Sequence, residues 1–492
     1  MTRRRRSTGE NAPTPLGRRV RVAFLTSAAS LGLVALGAIS AGAQDTRAPG
    51  AAAATTTGDA ARVRTLAELT RAATEYNPGV RAADHAIAAA EARLDEVRLS
   101  PFFQFEVTGG LAVAPSAQGT PTYSPDGQLP LGNPWRPILS IEVEGAIPVY
   151  TFGKLINARR AGRAGVRAAG HDRERTVQQT QYDVRRAYFA LQLALDVQQM
   201  LSEGLGRLET AVSTLQEQVD NDEPDANPMD IYRLAAALAE VQARASEVTR
   251  LEVSSRAALE TLTGLRDIHI PDCPSARVDV DLLELSDYVA RAHGHRPELG
   301  MLEAALDARR AELNIHRARF FPDLALGLRA GYSWGPGVTN ITNPFISDRA
   351  NTQSLGAALV MRWNLDFVGG YHRTRRSEAQ LAQLQAQDQQ ARDGVRLEVI
   401  ATYEQLRDAD RREVAWAQGE RQTRSWFVAA GQAYQVGTSE PRELVDAMKA
   451  YFTNRFNHLE ALREFNTAAA TLERVTGAAL VDPEAWERSC TE

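Results

Sequence analysis

The residues of this 492-residue chain best suited to chemistry are acids, and they gather in two places. Asp220, Asp222, Glu223, Asp225 and Asp230 crowd one short stretch, and Glu440, Glu443 and Asp446 another. Carboxylates at that density, repeated around a symmetry axis, form rings that favour cations at a pore mouth. For an acidic run on its own, a solvated turn is the alternative. Nothing else has the spacing a reaction needs. The eight His are dispersed, and His293-Gly294-His295 falls at a helix break that reads as a capped loop rather than a ligand pair. Six Met and two Cys form no soft-metal cluster, which weighs against a channel dedicated to copper or silver. There is no Ser-His-Asp order, phosphate loop or zinc spacing. No catalytic residue, cofactor or metal is expected, so the chain does not read as an enzyme.

Its start points to export. Arg3 to Arg6, Arg18, Arg19 and Arg21 precede an uncharged apolar stretch from Val22 to Ala41, and Ala41-Gly42-Ala43 is a small-residue cleavage site. Residues 1–43 therefore read as a signal peptide rather than a membrane anchor, and Gln44 as the first mature residue. No cysteine at that junction offers a lipid anchor. Residues 1–43 hold seven Arg and one Glu, so the formal net charge of −5 becomes −11 without them. Such an acidic chain lacks the basic footprint of a nucleic-acid binder. Cys273 and Cys490 each follow a Thr-Gly by a similar distance. In an oxidising periplasm a disulfide between them and two inert free thiols are both open.

The elements that must position the acids occur twice, about 215 residues apart. Asn77-Pro78 is answered by Arg296-Pro297, Arg98–Val107 by Arg319–Leu328, Phe152-Gly153 by Phe367-Val368-Gly369-Gly370, and Leu262-Thr263-Gly264 by Val475-Thr476-Gly477. After a flexible lead-in at 44–62, repeat 1 spans 63–280 and repeat 2 spans 281–477, with a tail at 478–492. Thr65-Leu66-Ala67-Glu68 has the form of a capping box that starts a helix, and Asp281-Leu282-Leu283-Glu284 repeats it. Lys154 to Val219 reads as one proline-free helix whose Leu201, Leu205, Leu208, Val212 and Leu215 keep coiled-coil spacing. Gly370 to Tyr434 is its twin, and helices at 229–264 and 441–477 return from the turns. The segment 265–285 and the tail are expected at a seam midway along the helices.

Between the helices, short stretches alternate apolar and polar residues with period two. Examples are Phe103, Phe105 and Val107 against Gln104, Glu106 and Thr108, and Leu139, Ile141 and Val143 against Ser140, Glu142 and Glu144. In repeat 2, Leu324, Leu326 and Leu328 alternate with Asp323, Ala325 and Arg329. The last strand is expected to run through Leu359, Met361, Trp363, Leu365 and Phe367. Aromatic residues cluster at both strand ends, as in a membrane barrel; a soluble sandwich is the competing reading of the alternation alone. No segment after the leader is apolar for the ~18 residues a membrane helix needs, so strands must make any crossing. Four strands cannot close a barrel, which needs about eight. An open edge in lipid leaves backbone groups unsatisfied. The chain must oligomerise, a dimer giving about eight strands and a trimer about twelve, and the trimer is favoured because its barrel leaves room for water.

These features together resemble the TolC-type outer-membrane efflux proteins over about residues 62–480. The most specific stretch is AYQVGTSEPRELVDAM, Ala433 to Met448, which is similar to the family's second periplasmic hairpin tip. Asn77-Pro78, Pro101, Pro322, Phe152-Gly153 and Val475-Thr476-Gly477 support it. The resemblance implies an α+β membrane protein in which a duplicated unit gives four barrel strands plus long antiparallel coiled-coil helices per chain. It closes as a homotrimer: a twelve-stranded β-barrel among outer-membrane lipid, on an α-helical periplasmic tunnel. The tunnel docks a periplasmic adaptor and an inner-membrane pump, as the passive duct of a tripartite efflux pump or a type I secretion system.

The resemblance also assigns residues. Tyr434, Glu443 and Asp446, with Asp230 facing them from the first tip, fall on the family's periplasmic gate positions. Val436, Gly437, Thr438, Asp220 and Glu223 fall at the hairpin tips that meet the adaptor. Two departures stand out. Ser439 occupies the place of the gate arginine, and the first tip, VDNDEPDANPMD, lacks the Val-Gly turn. The alternative class is a periplasmic adaptor or coiled-coil scaffold, which predicts one hairpin flanked by β domains without alternation.

Overall fold

A computed structural model describes residues 63–481 except 103, 118, 120–131, 222–227, 342–344, 346, 347, 349, 437 and 440. The expected signal peptide and lead-in, Glu223, Gly437, Cys490 and most of the tail lie outside the described residues.

The first helix begins where the capping box places it. Thr65 Oγ1 accepts the Glu68 N–H at 3.3 Å, opening α1 at Leu66–Tyr76. Asn77 then caps α2, Pro78–Leu99, by accepting the Gly79 N–H at 2.7 Å, and Pro78 takes the first-turn position that needs no donor. The second repeat departs from this expectation. Its helix α5, Leu285–His295, starts after Glu284 without a side-chain cap, rather than at Asp281. The cause lies at Tyr288, whose hydroxyl accepts the Leu283 N–H at 3.3 Å and holds the chain out of helix there. Helix α6, Pro297–Ala318, follows the proline break.

Four strands form one antiparallel sheet in chain order: β1 Phe105–Pro115, β2 Trp135–Tyr150, β3 Asp323–Trp334 and β4 Thr352–Arg362. The first begins after a 3-10 turn at Ser100–Phe102, later than the alternation suggests, and both strands of the first pair run further toward the loop end. The pairing register sorts the side chains by face. Glu106, Glu144 and Arg329 stand in one row, and Thr108, Glu142 and Ser354 in the next on the same face. Phe105 and Leu328, Val107, Val143 and Leu355, and Tyr332 share the other. Arg329 pairs with Glu142, and with Glu144 at 3.2 Å, so the polar face carries its own countercharge. Gly145 sits opposite Phe105, whose ring occupies the space a Cβ would need.

The last strand stops at Arg362, short of the expected Phe367. Two contacts take over the chain beyond it. Trp363 donates its indole N–H to the Phe320 carbonyl at 3.0 Å, and Asp366 accepts the Gly369 N–H at 3.0 Å. That bond is a helix cap, so Phe367 opens α7 instead of closing β4. In the first repeat the same corner uses Phe152 and Gly153, both left-handed at φ 49° and 89°. Phe152 stacks on Phe321 with ring centroids 5.4 Å apart, and Lys154 reaches Asp323 at 2.8 Å. The exit of one strand pair is thereby tied to the start of the next.

Two long hairpins hang from the sheet. The first is α3, Lys154–Asp220, with α4, Pro228–Thr263; the second is α7, Phe367–Gln435, with α8, Pro441–Thr476. At 1.5 Å per residue the long helices, of 67 and 69 residues, each extend ~100 Å. Both returning helices end at a left-handed glycine, Gly264 at φ +71° and Gly477 at φ +70°, where any other residue is strained. Among the described residues no helix is long and apolar enough to cross a membrane.

The main core lies partway along the hairpins. Leu191, Leu259, Leu406, Phe465 and Leu472 are fully buried there, with Val481 from the tail. The segment following Gly264 crosses this level as a strap. Asp196 of α3 accepts the Ser275 N–H at 2.9 Å. Asn466 of α8 accepts from Val278 N–H and donates to the Ala276 carbonyl, at 3.0 and 2.9 Å. Arg277 lies 4.2 Å above the Phe465 ring and pairs with Asp410 of α7 at 2.6 Å. The midway seam expected for 265–285 is this strap.

Candidate functional site

The two tips are brought together by a small apolar cluster. Leu208 and Leu215 of α3 and Leu234 of α4 are buried at its centre, and Val445 and Met448 of α8 pack against them. Lys449 of α8 also reaches Glu240 of α4 at 3.4 Å. The candidate gate residues stand on this support.

Tyr434 lies in the last turn of α7 and is 38% exposed. Val436 ends that helix by donating its N–H to the Gln432 carbonyl at 3.2 Å, and its side chain is exposed. Thr438 donates its N–H to the Ala433 carbonyl at 2.9 Å. A six-to-one bond of this kind closes a helix. The bond follows directly on the end of α7 at Gln435, and α8 starts at Pro441.

The described acids have partners within the chain. Asp220 accepts from Gln216 at 3.0 Å, and Asp230 pairs with Arg233 at 3.1 Å in the first turn of α4. Asp446 faces Arg442 one turn earlier at 3.7 Å. Glu443 accepts the indole N–H of Trp426, on α7, at 2.9 Å. Only the last bond crosses between helices, so Trp426 holds Glu443 against α7. The sequence reading missed both Trp426 and Arg442. Arg442 had a visible signal, an i,i+4 spacing to Asp446. Trp426 had none, because its partner lies across the turn. Arg442 and Arg233 are the cations that face these acids, at 3.7 Å from Asp446 and 3.1 Å from Asp230.

Higher up, the polar face of the sheet holds Glu106, Glu142, Glu144 and Arg329, while the opposite face is aliphatic and aromatic. A sheet with one charged face and one apolar face, set on two ~100 Å hairpins, has the form of a membrane-barrel segment on a helical tunnel. The class is that of an outer-membrane channel. The adaptor alternative predicts one hairpin and no alternating sheet, and the described residues form two hairpins and four alternating strands.

The chain belongs to the outer membrane efflux protein family, whose sequence model matches residues 69–265 and 289–478. Several solved channels share its fold. The structure of CusC, described in terms of folding and transmembrane channel formation, aligns at TM-score 0.69 and 17% identity, covering 84% of this chain and 92% of that one. VceC from Vibrio cholerae aligns at 0.66 and 16%, covering 84% and 96%. The open state of MtrE from Neisseria gonorrhoeae aligns at 0.65 and 17%, covering 85% and 89%. No curated protein matches the chain by sequence at significance. The protein is accordingly an outer-membrane efflux channel with a periplasmic helical tunnel.

Proposed function

We propose that three copies of the chain assemble into a passive exit duct, serving an inner-membrane pump through a periplasmic adaptor. Residues 1–43 direct export, and 63–280 and 281–477 are the tandem units. The carrying observation is the four-stranded sheet, too small to close alone, with a charged face and an apolar face. Open edges in lipid require partner strands, and three copies supply twelve. Tyr434, Glu443, Asp446 and Asp230 form the periplasmic mouth. Val436, Gly437, Thr438, Asp220 and Glu223 form the tips that meet the adaptor. Cys273 and Cys490 form a disulfide pinning the tail to the strap; in support, no described cysteine is a free thiol.

Single-channel recordings of the purified protein test the mouth. Wild type should conduct with a preference for cations, and Glu443→Ala with Asp446→Ala should reduce that preference. Unchanged selectivity would remove these residues from the mouth.

A further inference from the structure

The second hairpin contains a charge cluster that none of the roles above uses. His458, on α8, is half-buried between two carboxylates of α7. Its Nδ1 stands 2.5 Å from Glu420 and its Nε2 3.3 Å from Glu413. Glu413 and Glu420 are seven residues apart, two helical turns along one face, and bracket the imidazole from above and below. Glu413 is itself only 9% exposed and shares a second partner, Arg277 of the strap, at 3.3 Å. Arg277 continues to Asp410 at 2.6 Å. On the tip side Arg455 of α8 and Arg424 of α7 face Glu420, and Arg455 reaches Glu203 of α3 at 3.9 Å.

An imidazole with an acceptor on each nitrogen makes both bonds only when both nitrogens carry hydrogen. The neutral ring must turn a lone pair toward one carboxylate, replacing attraction with repulsion. His458 lies 17 residues into α8 from Pro441, about 25 Å from the tip. A clamp there fixes the height and rotation of α8 on α7, and so the placement of Glu443 and Asp446 relative to Tyr434.

We propose that His458 is a gate-positioning residue: as imidazolium it bridges Glu413 and Glu420 and holds the mouth in its narrow arrangement, and loss of its proton frees α8 to shift. The proposal rests on the duct and mouth reading above. Its direction follows from the surroundings. The hydrogen bond to Glu420 raises the His458 pKa above its ordinary value despite partial burial, and the hydrogen bond to His458 holds the Glu420 carboxyl below the usual range. The His458 contribution is therefore complete below the ordinary histidine pKa and is lost as pH rises through the raised value. The Glu420 contribution is lost only as pH falls through its depressed value. The clamp holds between those limits, and alkaline conditions open it.

The test is conductance of the full-length protein in planar bilayers, from about pH 5.5 to 8.5. Wild type should open more often as pH rises. His458→Gln should show the high-pH behaviour throughout. Glu420→Gln keeps the histidine but removes the carboxylate that favours its charge, so its midpoint should fall. A fall of one unit changes the ratio of open to closed states about tenfold at fixed pH. A conducting wild type whose pH profile is shared by both variants would overturn the clamp while leaving the duct intact. A wild type that never conducts, at any pH, would overturn the duct reading, and the clamp with it.

Discussion

The two hairpins descend from one duplicated unit, are nearly equal in length, and are sealed by different means. In the half nearer the tips, α3 buries Leu201, Leu208 and Leu215 at seven-residue spacing, against Leu234 and Val248 of α4. Over the corresponding stretch α7 buries Glu413 and Ala430. Its contacts with α8 include the His458 bridge, Arg412 with Glu464 at 2.7 Å, Trp426 with Glu443 at 2.9 Å, and the stacked rings of Phe427 and Tyr451. An apolar seam is indifferent to pH and has one well-packed arrangement. A seam of charge-assisted bonds depends on protonation, and its partners can be exchanged as the helices slide. Divergence after duplication has left one hairpin with an apolar seam and the other with a partly charged one.

That contrast can be broken most forcefully in the first hairpin. Leu208→Ala should destabilise it by about 2–4 kcal/mol, the usual cost of truncating a fully buried leucine. Urea unfolding followed by proteolysis within α4 reads this, and the loss should be the same at pH 6 and pH 8.5. An equal loss from a substitution at exposed Leu397 would show that the seam is not what holds the hairpin.

The second hairpin should respond to pH instead. A charge-assisted hydrogen bond contributes about 1.5–3 kcal/mol. Amides of α8 near His458 should therefore exchange faster at pH 8.5 than at pH 6, after correction for intrinsic rates, while those around Leu208 keep their protection. Equal protection changes in both hairpins would erase the distinction. The smallest effect expected is that of Trp426→Phe, which keeps the ring and deletes one hydrogen bond, about 1 kcal/mol. It should raise the open probability modestly at every pH, because Glu443 loses its tether but the His458 bridge remains.

Much of this architecture was legible in the sequence because it rests on periodicity and local chemistry. The duplication, the lengths of α3 and α7, the Thr65 cap, the proline breaks and the Thr-Gly stops need only neighbouring residues. What was not legible depends on register between elements. His458 reads as one of eight scattered histidines until α7 is laid beside α8 and Glu413 and Glu420 fall on either side of it. The Trp426–Glu443 bond and the Asp196, Asn466 and Asp410 anchors of the strap are hidden for the same reason. Period-two alternation carried the last strand too far, since Trp363, Leu365 and Phe367 continue the pattern while Asp366 caps a helix beneath it. The tip acids were visible by composition, but their partners Arg233, Arg442 and Trp426 were not weighed against them.

Assembly of this chain into a trimeric outer-membrane duct can be read from one quantity. The most direct test is the oligomeric mass of the detergent-extracted membrane fraction, with imaging of the particles. The particles should be trimers with a rod of ~100 Å below a short barrel, the length 67 helical residues produce. A monomer in the soluble periplasmic fraction would contradict it.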